Sequence, residues 1–538
     1  MAAESETKKV VSQFELTDHD VNAATLEFLR QMDEGLRKDG TSMSQIPTYV
    51  TAVPDGSEKG VYLAVDLGGT NFRVCSVQLN GDSTFNLTYN KVAIPKELMV
   101  AKTARELFSF LAMQIEVFLK EHHKDYYAAQ IKKRRSGTTR SSEYLRLGFT
   151  FSFPVNQLGI NKGKLIRWTK GFDIPDAVGK DVCALLQTEI DKLGLPVKVA
   201  ALVNDTVGTL MARSYTSVGK AKSILGGIFG TGTNGAYIEK LSNIKKPTVG
   251  EYDKSTGDMV VNTEWGSFDN QLNVLPTTKW DKILDDASVN PGIQMFEKRV
   301  SGMFLGEIVR LATLDLIKNE KVTLFVDANS SFNDLQSITT ISRESGLFKQ
   351  WGLDSSVLSV AAADDTPELS SLRLELETSL QIDSASLVDA QIFKAVAAAV
   401  GRRAARLSAV AIGAIVLQSG KLNDPDTDVV DIGVDGSLVE HYPFFRAMIY
   451  EALKAIDGIG PKGAERIRIG IAKDGSGVGA ALIALVAEKM EKDNSNVEDV
   501  EARVDDLVWN TNNHNTFIVA GVVGVIAIAA LWWARQRS

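Results

Sequence analysis

Two glycine turns of one design, one in each half of the chain, constrain this sequence more than any other feature. The first lies in Val61–Leu79, VYLAVDLGGTNFRVCSVQL. Val61, Leu63 and Val65 alternate, Asp66 closes the run, and Gly68 and Gly69 turn the chain before the apolar pattern resumes from Phe72 to Val77. Taken alone, the stretch is a β-hairpin with a polar turn. That turn also suits phosphate: two glycines let the backbone approach a bulky anion, and Thr70, Asn71 and Arg73 add donors. Asp66, at the strand end, can order a magnesium ion through its waters.

Ser223–Leu241, SILGGIFGTGTNGAYIEKL, repeats the form. Gly230 and Gly232 make its turn, and Thr231, Thr233 and Asn234 supply the polar groups. Aligning Asn71 with Asn234 places Gly69 on Gly232 and Thr70 on Thr233, a weak internal repeat. Two such hairpins predict two related α/β lobes facing one nucleotide. Gly230, Gly232 and Gly235 also spell G-x-G-x-x-G, but a dinucleotide site needs a helix next, and Ala236–Leu241 reads as a strand. No Walker-A pattern is present.

A chain of 538 residues needs more than one core, so two or more lobes are expected. A net charge of −8 argues against nucleic acid as the main partner. Cys75 and Cys183 are the only cysteines, which excludes a disulfide framework and fits a reducing compartment. The five histidines show no zinc-ligand spacing.

The amino terminus is polar and lacks the apolar core of a signal peptide. The far end differs. Phe517–Ala534, FIVAGVVGVIAIAALWWA, is an uncharged apolar run of 18 residues followed by Arg535 and Arg537. As a helix it would reach about 27 Å, close to the roughly 30 Å of a bilayer core. Trp532 and Trp533 suit the interface. A span so near the carboxyl terminus reads as a tail anchor. Its short apolar stretch and basic tail point to the mitochondrial outer membrane, with the body facing the cytosol; the endoplasmic reticulum is the runner-up. A buried core helix is the alternative.

In chain order, Leu16–Leu36 has helical periodicity opened by Thr17 and Asp18. Leu107–Leu119 is a second amphipathic helix. Lys120–Ser142, with Lys132, Lys133, Arg134 and Arg135, reads as a solvated loop, binding to anionic lipid near the anchor being the alternative. Leu145–Phe153 is a strand ended by Pro154. Val197–Val203 is a buried strand ending in Asn204-Asp205-Thr206, with a helix from Val207 to Tyr215. A carboxylate there is where α/β folds place chemistry, and also where helices take a cap. Glu264 and Glu297 follow, with a long helix over Phe296–Leu314. Val322–Ala390 is the least legible part. Gln391–Gln418 is an Ala-rich helix, expected to be buried in the large lobe, with Arg402, Arg403 and Arg406 on one flank. Ile467–Leu485 is strand, glycine loop and apolar helix.

LAVDLGGTNFRV, LGFTFSFP, RWTKGFDIP, VNDTVGTL, IFGTGTNGAY, EWGSFDN, PGIQMFEK, RAARLS, VDGSLVEHYP and DGSGVGAA resemble the eukaryotic, fungal-type hexokinases, in that family's order. The likeness runs from about residue 15 to about 490; the apolar tail lies outside it. It implies an actin-like ATPase (ribonuclease H-like) fold of two α/β lobes around a substrate cleft, to which the tail adds a transmembrane helix. On this reading residues 1–56 are an amino-terminal helix and connection, 57–215 the small lobe, 216–492 the large lobe, 493–515 a polar linker, 516–534 the anchor and 535–538 a basic tail.

The resemblance implies ATP-dependent phosphorylation of hexoses, glucose with fructose and mannose, at the 6-hydroxyl, the first step of glycolysis. It assigns Asp205 as catalytic base, with Lys170 stabilising charge at the reacting centre. Ser152, Thr169, Lys170, Asn204, Asp205, Asn234, Glu264 and Glu297 match sugar-binding positions. Asp66, Gly68, Gly69, Thr70, Asn71 and Arg73 match the first phosphate motif, and Thr231 and Gly232 the second. Gly302, Gly436 and Ser437 match positions beside the adenosine. ATP and Mg2+ are the implied cofactors, hexose and a membrane the implied partners; no metal-ligand set is identified. Two departures stand out: the basic stretch at 120–142 is longer than in typical members, and Asp327-Ala328-Asn329 replaces a more regular Asp-Thr-Ser run. A non-enzymatic sugar sensor is the competing class, and the complete catalytic set favours the enzyme.

Overall fold

The computed structural model describes residues 2–138, 140, 143–217, 222–326, 339–472 and 474–492. Both glycine hairpins form. Lys59–Leu67 pairs antiparallel with Asn71–Asn80, and Ser223–Phe229 with Thr233–Lys240. Each hairpin sits in the middle of its own sheet. In the first sheet the spatial order is Phe85–Ala93, Asn71–Asn80, Lys59–Leu67, Leu145–Phe151, Val197–Val203. The second runs Asp258–Asn262, Thr233–Lys240, Ser223–Phe229, Val430–Asp435, Ile467–Ile471, with Ile46–Pro47 added at its edge. Numbered along the chain within each sheet, both orders are 3-2-1-4-5, with strands 1, 4 and 5 parallel. The internal repeat is therefore one of topology.

The turns differ by one residue. Four residues separate the last rung Leu67–Phe72, and three separate Phe229–Thr233. Superposing Asn71 on Asn234 thus cannot hold on both strands of each hairpin. Asn234 is a rung opposite Ile228, whereas Asn71 lies before the first rung.

Helix α1 (Asp18–Arg37) starts at Thr17 with a capping box to Asp20, and buries Val21, Ala24, Phe28 and Met32. Helix α2 (Asp205–Thr216) follows the Val197–Val203 strand and packs on the second sheet. Helix α3 (Gly302–Ile317) is preceded by a separate turn, Glu297–Val300, so the helix expected over Phe296–Leu314 is broken at Ser301. Helix α4 (Leu387–Ser419) is 33 residues long, buried along most of its length, and packs against α1. A last helix, α5, covers 475–492.

Three cores result. One joins α1, α3, α4 and the second sheet. The second lies between the first sheet and the helices Ala104–His122 and Val182–Leu193. The third is a seam in which α2 and α5 pack between the lobes, with Ala64, Cys75, Leu210, Val260 and Leu482. Strands buried on both faces read as near-continuous apolar runs, which is why Val197–Val203, broken only by Lys198, was legible.

Several expectations change. Lys124–Arg135 is a helix rather than a loop; its run of Lys132 to Arg135 fills the last turn, where cations complement the helix dipole. An unexpected helix, Ala2–Ser12, precedes α1. The Ala-rich helix is buried as expected, and Arg403 is buried with it, pairs with Asp281 at 2.7 Å and lies 5.0 Å over the Phe14 ring. Lobe membership crosses the expected limits as well. Residues 1–56 contribute α1 to the core of the second lobe, and α5, placed in the large lobe from sequence, packs against the first sheet. There Tyr62 donates to Glu488 at 2.8 Å, and Lys198 reaches Glu491 at 2.6 Å. Asp327–Asn329 and the run Phe517–Ala534 lie outside the described residues. Among the described residues no helix is long and apolar enough to cross a membrane.

Candidate active site

The parallel strands of the first sheet deliver the first group of site residues at their carboxyl ends, where an α/β sheet opens its crevice. Asn204 is the N-cap of α2: its Oδ1 accepts from the Thr206 N–H at 3.0 Å. Asp205 is consequently the first helical residue, and its carboxylate is left for the cleft apart from a contact with the same N–H at 2.9 Å. The capping role therefore falls to Asn204 and not to Asp205. Lys170, with a positive φ of 58°, turns its ammonium back to donate to the Gly68 and Ser152 carbonyls at 2.8 and 3.0 Å. Ser152 donates its own N–H to Leu67, beside the first glycine turn. Thr169 sits in the same loop as Lys170, and its carbonyl accepts from Phe172.

The second lobe contributes a network of amides and carboxylates. Asn262 Nδ2 donates to Glu264 Oε1 at 2.7 Å, and Asn234 Nδ2 donates to Asn262 Oδ1 at 2.8 Å and to Glu264 at 3.3 Å. Glu264 has a φ of 53°, and Asn234 accepts from the Gly235 N–H. Glu297 Oε2 accepts from the Thr233 N–H at 2.9 Å. A side chain at Gly232 would put its Cβ 2.8 Å from that oxygen, so the glycine makes room for the carboxylate. Asn262 was not singled out from sequence. Its signal is a strand-end amide next to motif residues, too common to pick out.

Five carboxyls here are shifted in one direction. Burial pushes Asp205 up, Lys170 opposes the shift and Asp66 adds to it. Asp66 is raised by burial and eased by Ser476, Arg73 and Lys170. Glu264 and Glu297 are raised by burial and eased by their hydrogen-bond donors, Asn262 and Thr233 first. Asp435, which the sequence reading passed over, is pushed up to about 6 by burial, with Glu440 and Asp205 adding to it. Lys170 faces Asp66, Asp205 and Glu297 together, so this one cation offsets repulsion among three acids.

The nucleotide-type residues form two surfaces. At the first turn Thr70 and Asn71 are exposed, and nothing lies within 4 Å of a Cβ built on Gly69. Arg73 is stacked 4.5 Å over Tyr89 and pairs with Asp474 at 2.9 Å, while its Nε is buried without a partner. Around the second turn, the Gly302 N–H donates to Gly230 at 2.8 Å and the Met303 N–H to Thr231 at 3.3 Å. Gly436, at φ 112°, lies against Phe229, and Ser437 opens the short helix Ser437–His441. These residues fit a triphosphate and its cation: backbone approaches, an unsatisfied guanidinium N–H and one deep carboxylate, Asp66. Among the described residues no three metal-ligating side chains gather. A magnesium ion that keeps waters and phosphate oxygens needs only one or two protein carboxylates.

Two lobes of matching topology, phosphate-type turns and a helix-start carboxylate between them define a two-lobed α/β kinase. Two family models, both described as hexokinase, match residues 6–215 and 224–486. The chain is 58% identical over 490 residues to a glucokinase of Aspergillus niger, covering 90% of this chain and 97% of that protein. It is 42% identical over 503 residues to glucokinase-1 of Saccharomyces cerevisiae, covering 89% and 96%. A solved hexokinase from Schistosoma mansoni, complexed with glucose, matches with a TM-score of 0.69 at 33% identity, covering 89% of this chain and 98% of that one. Another solved hexokinase matches with a TM-score of 0.74 at 29% identity, covering 90% and 99%. The chain belongs to the hexokinase family, and the enzyme is a hexokinase.

Proposed function

We propose that this hexokinase transfers the γ-phosphoryl group of ATP to the 6-hydroxyl of glucose, with Asp205 as the base. The observation that carries this is the freed carboxylate of Asp205, at the start of α2 and coupled to both lobes. Asp205 takes the hydroxyl proton as the sugar oxygen bonds to phosphorus; the bond from phosphorus to the bridging oxygen breaks, and ADP leaves. A carboxylate with a raised pKa is a better proton acceptor than an ordinary surface aspartate, and its placement supplies orientation. Lys170 balances the acids so that Asp205 can still ionise. Asn204, Asn234, Glu264 and Glu297, with Ser152 and Thr169, present acceptors and donors to the ring hydroxyls. An epimer would leave such partners unpaired, at about 1–3 kcal/mol each. Asp66 would hold the magnesium ion through water, and Arg73, Gly68 to Asn71, Thr231 and Gly232 would hold the phosphates. The cation supplies charge neutralisation of the transferring group when bound. Gly302, Gly436 and Ser437 are positioned to meet the adenosine.

Glucose is proposed as the principal sugar because relatives at 58% and 42% identity are named glucokinases; fructose and mannose are secondary substrates. This is the chemistry that starts glycolysis. Coupled assay of glucose 6-phosphate formation tests the proposal. Glucose binding without ATP-dependent product would refute it and leave a sugar sensor.

We also propose that Phe517–Ala534 anchors the enzyme to the outer mitochondrial membrane with the lobes in the cytosol, the endoplasmic reticulum being the competing site. The support is the apolar run, its flanking tryptophans and its basic end. Deleting residues 517–538 should release the protein to the soluble fraction; unchanged membrane sedimentation would sink the anchor.

A further inference from the structure

The basic helix Lys124–Arg135 has no part in the site described above. It carries Lys132, Lys133, Arg134 and Arg135 in its last turn, and Lys132, Arg134 and Arg135 are exposed. Arg140 lies close enough to help hold the Glu143 carboxyl down. Among the described residues the only ion pair made by these five cations is Lys133 with Glu143, at 2.7 Å. Asp125, exposed in the first turn, is the one acid of this helix.

The fold places this cluster at the same end of the lobe as Lys492, the last described residue. Near the end of α5, Glu491 pairs with Arg146 at 3.0 Å and with Lys198 at 2.6 Å. Arg146 and Lys198 are cross-strand partners at the amino ends of two parallel strands. Their neighbour Leu145 donates its N–H to the Tyr126 hydroxyl at 3.0 Å, and Tyr126 belongs to the basic helix. Tyr126 in turn donates to the carbonyls of Glu143 and Pro196. Lys133 is about two helical turns beyond Tyr126, roughly 10 Å along the axis. The last described residue, Lys492, and the cation cluster therefore share one end of the molecule. The 23 residues from 493 to 515 then lead to the apolar run. Such a linker could extend to about 80 Å, so it does not by itself dictate which face meets a bilayer.

We propose that the basic end formed by Lys132, Lys133, Arg134, Arg135 and Arg140 is a docking surface for an anionic lipid bilayer, and that it orients the anchored enzyme. Clustered cations beside a membrane attachment are drawn to acidic headgroups over about one Debye length, some 8–10 Å. The site cleft lies at the carboxyl ends of the same parallel strands whose amino ends carry the cluster. Docking through the basic end thus keeps the cleft turned to the solvent, open to sugar and nucleotide.

The setting rests on the anchor reading, but the test separates the two. Both cores and the seam lie within residues 2–492, and the family models end at 486, so a chain ending at Lys492 is a complete folded body. That body is sedimented with vesicles of phosphatidylcholine alone and of phosphatidylcholine with phosphatidylserine. It should bind only the acidic vesicles, release in high salt, and lose roughly tenfold or more in partitioning in the triple variant Lys132→Glu, Arg135→Glu, Arg140→Glu. Glucose phosphorylation by the variant should match the unaltered body, which shows that it is folded. Absence of binding to acidic vesicles, equal binding to neutral ones, or unchanged binding by the variant would each overturn the proposal. Capture of an acidic polypeptide without vesicle binding would overturn it too. Alkaline carbonate extraction of membranes carrying the full chain reports on the anchor alone: release there defeats the anchor and leaves the vesicle result standing.

Discussion

The two glycine turns occupy the same place in sheets of the same strand order, yet they are built for different work. The first is open. Gly69 has free space around it, Thr70 and Asn71 face solvent, and Arg73 is held from the side by Tyr89 and Asp474. The second is closed. Gly230 meets Gly436 and Ser437, Gly302 bonds to the Gly230 carbonyl, and Gly232 stands against the Glu297 carboxylate. An open turn can adapt to an anion that arrives and leaves. A closed turn fixes the Glu297 carboxylate and the start of α3 in one rigid unit. Repetition of a topology therefore does not repeat a site; the neighbours that each lobe brings to its turn decide the chemistry.

The most severe test concerns the residue that both turns flank. Asp205→Ala should lower turnover by about 10²–10⁴-fold, the usual range for a lost general base, while glucose binding by calorimetry changes little. Survival of activity within tenfold would dissolve the comparison, because the turns would then have no common acceptor chemistry. A direct contrast follows from Gly232→Ala and Gly69→Ala. The first drives a methyl into Glu297 and should weaken glucose use by about tenfold or more. The second meets nothing and should leave stability within roughly 0.5 kcal/mol, any loss appearing as a higher KM for ATP. Equal effects at the two positions would show that open and closed is the wrong distinction.

Two pH experiments sharpen it further. Burial raises Asp205 and Lys170 opposes that shift, so the acid limb of the rate profile should lie above the ordinary carboxylate range. In Lys170→Gln the limb should move to higher pH, apart from any loss in rate. A limb that stays put would remove Lys170 as the shared counter-charge. The smallest effect is expected at Asp435, whose carboxyl moves from 3.8 to about 6 in the folded protein. A raised folded pKa means the folded state binds the extra proton, so the contribution to stability is present below about 3.8 and is lost as the pH rises through about 6. Asp435→Asn, which keeps an acceptor for the Gly436 N–H, should raise Tm at neutral pH and have progressively less effect on acidification. A gain that is constant with pH would point to packing rather than charge.

Much of the fold was legible because local pattern and burial agree. Val197–Val203 is apolar except for Lys198 and forms a strand over those same residues. Thr17 and Asp18 announce α1, and the structure shows Thr17 as the cap, with Asp20 as its reciprocal partner. The basic stretch misled for the opposite reason: charge dominates its composition, and its helix is held by few contacts, with Gln130 its one buried residue. The partner of Arg403 was not legible, because Asp281 is far away in sequence and only the fold brings the two together. Of the site, the motif residues were readable and their supports were not. Asn262 and Asp435 act through neighbours brought together by strand pairing, which no spacing reveals.

By itself the sequence determined the elements and the candidate groups: two glycine hairpins, a carboxylate after a buried strand, and an apolar run at the carboxyl end. These follow from local rules of periodicity, turn chemistry and capping, which act over a few residues. Tertiary structure decided which lobe each helix joins, that Asn204 caps so that Asp205 is free, and that one turn is open and the other closed. Those outcomes depend on contacts between residues hundreds of positions apart, such as Arg73 with Asp474, and on the dielectric of the cleft they enclose. Burial is a property of the assembled lobes, and it is burial that raises the carboxyls on which the chemistry depends.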